Sequence, residues 1–246
     1  SVAALPTLSE HAAAREWYRL SGTFRRAMRV TNFVTVPATL ALLVLSGPIV
    51  GVLFRHGQFS AESARITAEL LVILGAALVP IGAVRVAVPT FYALGDTRTP
   101  VVGAVVSLLT TVGLGFALGR SYEIWGLTFA TSAAAVTQLL VLWAMLRGTI
   151  RRRIAEDTAA GRVLDRPTPR APEPGVVAHA LACTLAAAPG VGLAAWLAHQ
   201  RVWDGGDNVA GALVLFPLIG ATVLGYFGCA KLLRIPEADL DRKSVV

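Results

Sequence analysis

Six stretches of this chain are apolar for long enough to cross a bilayer, at about residues 30–54, 64–93, 101–118, 124–146, 176–198 and 209–233. A spanning helix needs roughly 20 residues, and in hydrocarbon every backbone N–H and C=O must be paired within the protein. Only helices and closed barrels meet that condition. The runs are rich in Ala, Leu and Val and show no period-two alternation, so they read as helices and exclude a barrel. Charged residues make up 15% of the 246, against about 25% in soluble domains. Mean hydropathy is +0.64. The expected fold class is all-α: a polytopic membrane helix bundle with about six transmembrane helices.

The formal net charge of +7 would in a soluble chain point to nucleic acid. Its distribution points to topology instead. Counted by alternate loops, one side holds Arg15, Arg19, Arg25, Arg26, Arg98, the seven arginines from Arg147 to Arg170, Lys231, Arg234, Arg242 and Lys243. The other side holds Arg55, Arg65, Arg120 and Arg201. The positive-inside rule makes the first side cytoplasmic. Both ends then lie in the cytoplasm, and no nucleic-acid partner is needed to explain the charge. Cys183 and Cys229 fall inside spans and read as small packing residues. His56 stands alone in its loop, so no metal and no cofactor are expected.

Five segments follow. Residues 1–28 read as the end of a preceding span and then a polar interfacial helix, Glu10 through Arg26, with Trp17, Tyr18 and Phe24 at headgroup depth. Residues 29–148 carry four spans. Residues 149–175 form a basic, Pro-rich cytoplasmic linker that starts as a juxtamembrane helix. Residues 176–234 hold two more spans, and 235–246 a cytoplasmic tail. Ser60 is placed to cap the second span. From Phe91 to Pro100 the chain reads as a tight helical hairpin: Gly95 ends one helix, Asp96 or Thr97 caps the next, and Thr99 and Pro100 sit in its first turn. Gly113 and Ala117, like Thr131 and Ala135, stand four apart, a spacing that suits close helix crossing. Gln138 reads as a bridge between helices.

Polar residues inside the spans are the functional candidates. At ~100° per residue, Thr31, Asn32, Thr35, Thr39 and Ser46 share one arc of the first span, with Arg25 and Arg29 beside it. Such a stripe faces other helices or a water-filled cavity; the alternative is Thr back-bonding and a snorkelling Arg29. Arg85 lies well inside the second apolar run, bracketed by Pro80 and Pro89. A guanidinium there costs about 2.5–3.5 kcal/mol on insertion scales, which marks an anionic-substrate cavity unless the side chain snorkels. No phosphate-binding glycine loop, His-Glu metal motif or nucleophile elbow is present in the sequence, so an enzyme is not expected. The profile is that of a transporter.

Four stretches carry a family resemblance: Ala4-Leu5-Pro6-Thr7-Leu8-Ser9, Leu53-Phe54-Arg55-His56-Gly57-Gln58-Phe59-Ser60, the hairpin Phe91 to Pro100, and Gly126-Leu127-Thr128-Phe129-Ala130-Thr131-Ser132. In order and spacing they resemble the MurJ/MviN family of lipid II flippases, within the multidrug/oligosaccharidyl-lipid/polysaccharide exporter superfamily, strongly over residues 1–148 and by position alone over 176–233. The resemblance implies spans nine to fourteen of a fourteen-helix flippase, whose N-terminal lobe is a missing partner. It implies lipid II and membrane lipids as ligands, alternating access between two lobes, and a central cationic cavity. Arg29 matches the cavity arginine of this lobe, and Arg85 joins it as a candidate, lined by Asn32, Thr35 and Thr39. The last two spans correspond to the pair that lines a groove for the lipid tail. Some relatives bind sodium through side chains at the positions of Thr111 and Gly115; neither supplies a carboxylate, so no sodium site is implied. The composition resembles actinobacterial members, some of which continue into a kinase-like domain that recruits forkhead-associated proteins. Two rival readings stay open: another exporter of drugs or polyprenyl-linked glycans, or a scaffold for cell-wall synthesis enzymes.

Overall fold

The structure, a computed structural model, describes residues 5–54, 60–162, 183–184, 187, 191, 217, 219–228 and 231. Among them run the helices α1 (Leu5–Ala13), α2 (Trp17–Phe54), α3 (Ala61–Ala76), α4 (Leu78–Ala93), α5 (Arg98–Ala159) and α6 (Ile219–Gly228), and Cys183, Thr184, Ala187 and Val191 are helical as well. No strand occurs among the described residues. The expectations for His56 and its loop, Cys229, most of the spans at 176–198 and 209–233, the Pro-rich segment and the tail lie outside them. The chain divides into two compact units, Ser1–Asn32 with Val79–Val176, and Phe33–Leu78 with Val177–Val246.

The first unit is built on stripes at helical spacing. Trp17, Leu20, Phe24 and Met28 recur every three or four residues along α2 and bury against Ala83, Val86, Ala87 and Phe91 of α4 and Leu142 and Leu146 of α5. Leu8 of α1 completes this core. Trp17 and Phe24, expected at headgroup depth, are not displayed on the surface of this unit but buried, because their stripe faces two other helices. Nor does one helix run from Glu10 to Arg26. It breaks at Arg15, which takes a left-handed φ of 58°. Arg15 N–H donates to Ala12 O and Glu16 N–H to Glu10's neighbour His11, at its carbonyl. These bonds form a Schellman cap with arginine where glycine is usual.

The same stripe logic carries α5 on to Ala159. Leu139, Trp143, Ile150 and Ile154 continue the packed line set by Leu142 and Leu146, so the helix expected at the start of the linker is the last part of α5. Arg147 stacks on Trp143, 4.9 Å from the ring centroid. The line ends at Asp157, a buried carboxylate. It accepts from Trp17 Nε1 and Arg15 Nη1, both at 2.8 Å, and from Arg162 Nη1. The Trp17 bond, then the two guanidinium groups, holds its carboxyl below the ordinary range although burial opposes this. Gly161, at φ 66°, closes the helix with Arg162 N–H on Asp157 O.

α5 is not one rod. Glu123 (φ 45°, ψ −121°) reverses the chain, at a strain of about 1–3 kcal/mol for a residue with a side chain. The arms 98–122 and 124–159 then pack on each other. A Cβ at Gly103 would stand 3.0 Å from Leu142 Cδ2, and one at Gly126 would stand 2.6 Å from Leu118 C and O. Gly113 meets nothing within 4 Å and Ala117 is exposed. The close crossing expected at Gly113 and Ala117 is therefore made by Gly103, Gly115 and Gly126 instead. The stem of Gln138 does lie across the arms, beside Gly103. The outer face of the first arm is apolar throughout, with Leu108, Leu109, Val112 and Phe116 all more than half exposed. A face of that size requires lipid or protein as its neighbour.

In the second unit, α3 starts as expected: Ser60 Oγ accepts from Ser63 N–H at 3.1 Å. The run expected as one helix over 64–93 breaks at Ala77. Pro80 has no N–H for the carbonyl of Ala76, and its ring crowds that turn. Gly75 lets α3 approach α2, where a Cβ would lie 3.1 Å from Leu42 Cβ.

Candidate functional site

The arc expected on the first span lies along α2. Asn32 of this arc and Arg29 beside it are buried in the first unit, and each is a polar group that a lipid-facing helix would not keep inside. Thr35 and Thr39 belong to the second unit and are half-buried. Several helical threonines here return their hydroxyl to the carbonyl four residues back, as Thr90 does to Val86 and Thr110 to Val106. Thr39 does not. Its Oγ1 is buried and has no hydrogen-bond partner among the described residues. Arg85 is exposed on α4, beside the core residue Val86. Pro89 lacks the N–H that would have paired with the Arg85 carbonyl.

The hairpin residues have structural work. Gly95, at φ 73°, ends α4 through Gly95 N–H on Tyr92 O and Asp96 N–H on Phe91 O. Asp96 then caps α5: Oδ1 accepts from the N–H groups of Arg98 and Thr99, and Oδ2 from Thr99 Oγ1 at 2.6 Å. Thr97 makes no capping bond. Pro100 is buried in the first turn, where a missing N–H costs nothing. The Thr99 bonds hold the Asp96 carboxyl below its ordinary range. This contribution is complete above about pH 4 and is lost as the pH falls through the lower folded value. Asp96→Ala is expected to lower stability by about 1 kcal/mol, with Asp96→Asn close to wild type. Thermal melting in detergent checks this.

The second unit holds an apolar groove of about 490 Å³, within the usual size of ligand pockets. Phe33, Pro37, Ala41 and Leu45 of α2 line one wall, and Val223 and Tyr226 of α6 stand in the other. At one end Ala41, Ile49 and Ile219 pack against the buried Leu45. At the other, Phe33, Tyr226 and Phe227 form an aromatic cluster with ring centroids 4.9–5.9 Å apart. Within it Tyr226 Oη donates to Phe33 O at 2.8 Å. That carbonyl needs an outside donor, because Pro37 stands where its intrahelical N–H would be. The sequence shows the orphaned carbonyl, but not the tyrosine 193 residues away that answers it. At the positions compared with a sodium site, Thr111 Oγ1 returns to Ser107 O, and a Cβ at Gly115 would lie 3.3 Å from Leu127 Cδ1.

Long apolar helices, a polar arc inside one of them and a lateral apolar groove define a multi-pass α-helical membrane protein. A family model described as lipid II flippase MurJ matches residues 1–163. A probable lipid II flippase MurJ of Rhizobium meliloti is 39% identical over 121 residues, 49% of this chain and 23% of that protein. The lipid II flippase MurJ of Burkholderia cenocepacia is 28% identical over 248 residues, covering 98% of this chain and 43% of its own length. Among solved structures, lipid II flippase MurJ in an inward closed conformation matches with a TM-score of 0.66 and 20% identity, over 95% of this chain and 42% of that one. That likeness shows a shared fold. The chain belongs to the MurJ family, and it spans less than half the length of the curated relatives it matches.

Proposed function

We propose that this chain forms part of a flippase that carries lipid II, an undecaprenyl-pyrophosphate-linked muropeptide, from the inner to the outer leaflet of the bacterial cytoplasmic membrane. The observation that carries the reading is the double character of α2. A substrate with an anionic head and a long apolar tail needs a cation in a desolvated polar setting and a separate apolar channel. Along α2, Arg29 and Asn32 are buried within the first unit, and the apolar groove lies within the second. In a low-dielectric cavity a guanidinium attracts pyrophosphate far more strongly than in water. Arg85 is the second cation in this scheme, and lobe rocking completes the transfer in the manner of alternating-access transporters. The basic side, with both chain ends, is cytoplasmic by the positive-inside rule. The working unit includes the remaining lobe, and no bond of the substrate is broken, so the protein is not an enzyme. Forkhead-associated or cell-wall synthesis proteins are secondary partners in this reading, reached through the cytoplasmic segments.

The test is outer-leaflet lipid II in cells living on the full-length protein. Arg29→Ala is expected to lower it at least about tenfold, as loss of a charged hydrogen-bonding partner predicts, with protein still in the membrane at normal level. Arg29→Lys keeps the charge and should retain part of the activity. Unchanged flipping in both variants would leave Arg29 as a membrane anchor and remove the cationic cavity from the mechanism.

A further inference from the structure

We propose that Tyr226 is a positioning residue for the groove, and that its hydroxyl substitutes for the donor that Pro37 removes from α2. The inference rests on the groove taking an apolar chain, as proposed above. Tyr226 is buried, and its hydroxyl crosses from α6 to the Phe33 carbonyl. Both residues line the groove, together with Pro37 itself. The bond therefore ties one wall to the other at a fixed point of backbone, one helical turn from the proline. At the far end, among the described residues, Ile219 packs on Leu45, an apolar contact that slides more easily than a directional hydrogen bond. The aromatic contacts of Tyr226 with Phe33 and Phe227 hold the ring in place. They would survive loss of the hydroxyl, so the two contributions are separable. Proline and tyrosine act as one device: the first opens a backbone acceptor and loosens the helix, and the second claims that acceptor from the opposite wall.

The experiment uses the intact protein in lipid nanodiscs and a polyprenyl phosphate with a photoreactive group in its chain. Label at groove residues is mapped and normalised to folded protein. Tyr226→Phe keeps the ring and removes only the hydroxyl. It is expected to lower groove labelling about tenfold, the usual effect of stranding a buried acceptor. In Pro37→Ala the new N–H pairs with Phe33 O inside α2. Added to that variant, Tyr226→Phe should change labelling and melting temperature by far less than it does in wild type. A Tyr226→Phe effect of equal size in both backgrounds, or none in wild type, overturns the inference while leaving the groove in place. Absence of label from the wild-type groove overturns the groove reading itself, and this inference with it.

Discussion

Gly126→Ala is expected to prevent the two arms of α5 from closing. The added methyl would stand 2.6 Å from the carbonyl carbon and oxygen of Leu118 and 2.9 Å from its Cβ. Two of these atoms are backbone, so no rotamer change relieves the contact. Overpacking of a tight interior costs about 1–3 kcal/mol, and a backbone clash belongs at the upper end. The reversal at Glu123 has little slack to absorb it, since that residue already holds a φ of 45°. Gly113→Ala is the matched control. Nothing lies within 4 Å of its added methyl, and replacing glycine in a helix gains up to about 1 kcal/mol. Melting of purified full-length variants should place Gly126→Ala clearly below wild type and Gly113→Ala at or above it. Equal melting would show that the arms do not meet at Gly126.

Asp157→Ala is expected to free the corner between α1 and α2. Three donors lose their acceptor together: the buried indole N–H of Trp17 and the guanidinium groups of Arg15 and Arg162. Arg15 also loses the contact that helps hold it at a left-handed φ. Hydrogen exchange at residues 12–20 should quicken by about tenfold or more, as expected for a stranded buried donor. Exchange in α4 should change little. Asp157→Asn keeps one acceptor oxygen and should fall between. The pH dependence has a definite sign. The folded carboxyl is held below its unfolded value, so its contribution is complete above about pH 4 and is lost as the pH falls through the lower folded value. Protection at the corner should be flat from pH 6 to 8 and decline only in acid. A decline already at pH 6 would point to another group.

Much of this architecture follows from local signals. An apolar run has a length, and length in hydrocarbon dictates a helix. Ser60, Gly95 and Asp96 act on groups within five residues of themselves, so their roles follow from neighbouring sequence. Pro80 and the break at Ala77 are of the same kind, although the break falls at Ala77 and not at the proline. Arg29 is legible as an anomaly, a cation where none is expected, and its burial agrees with that. The small-residue spacing misled at Gly113 and Ala117. Spacing identifies a face able to accept another helix, while the turn at Glu123 selects which face is used.

Local chemistry sets the solvent, most of the helices, the caps at Ser60, Gly95 and Asp96, and the family. Each of these depends on a residue's own chemistry or on neighbours a few positions away. The tertiary structure alone decided that Asp157 answers Trp17 across 140 residues, that Tyr226 answers Phe33 across 193, and that Gly126 is the glycine that cannot change. A hydrogen-bonding side chain advertises a need for a partner but not its address. The address is set when helices pack, and packing depends on the shapes of two faces at once.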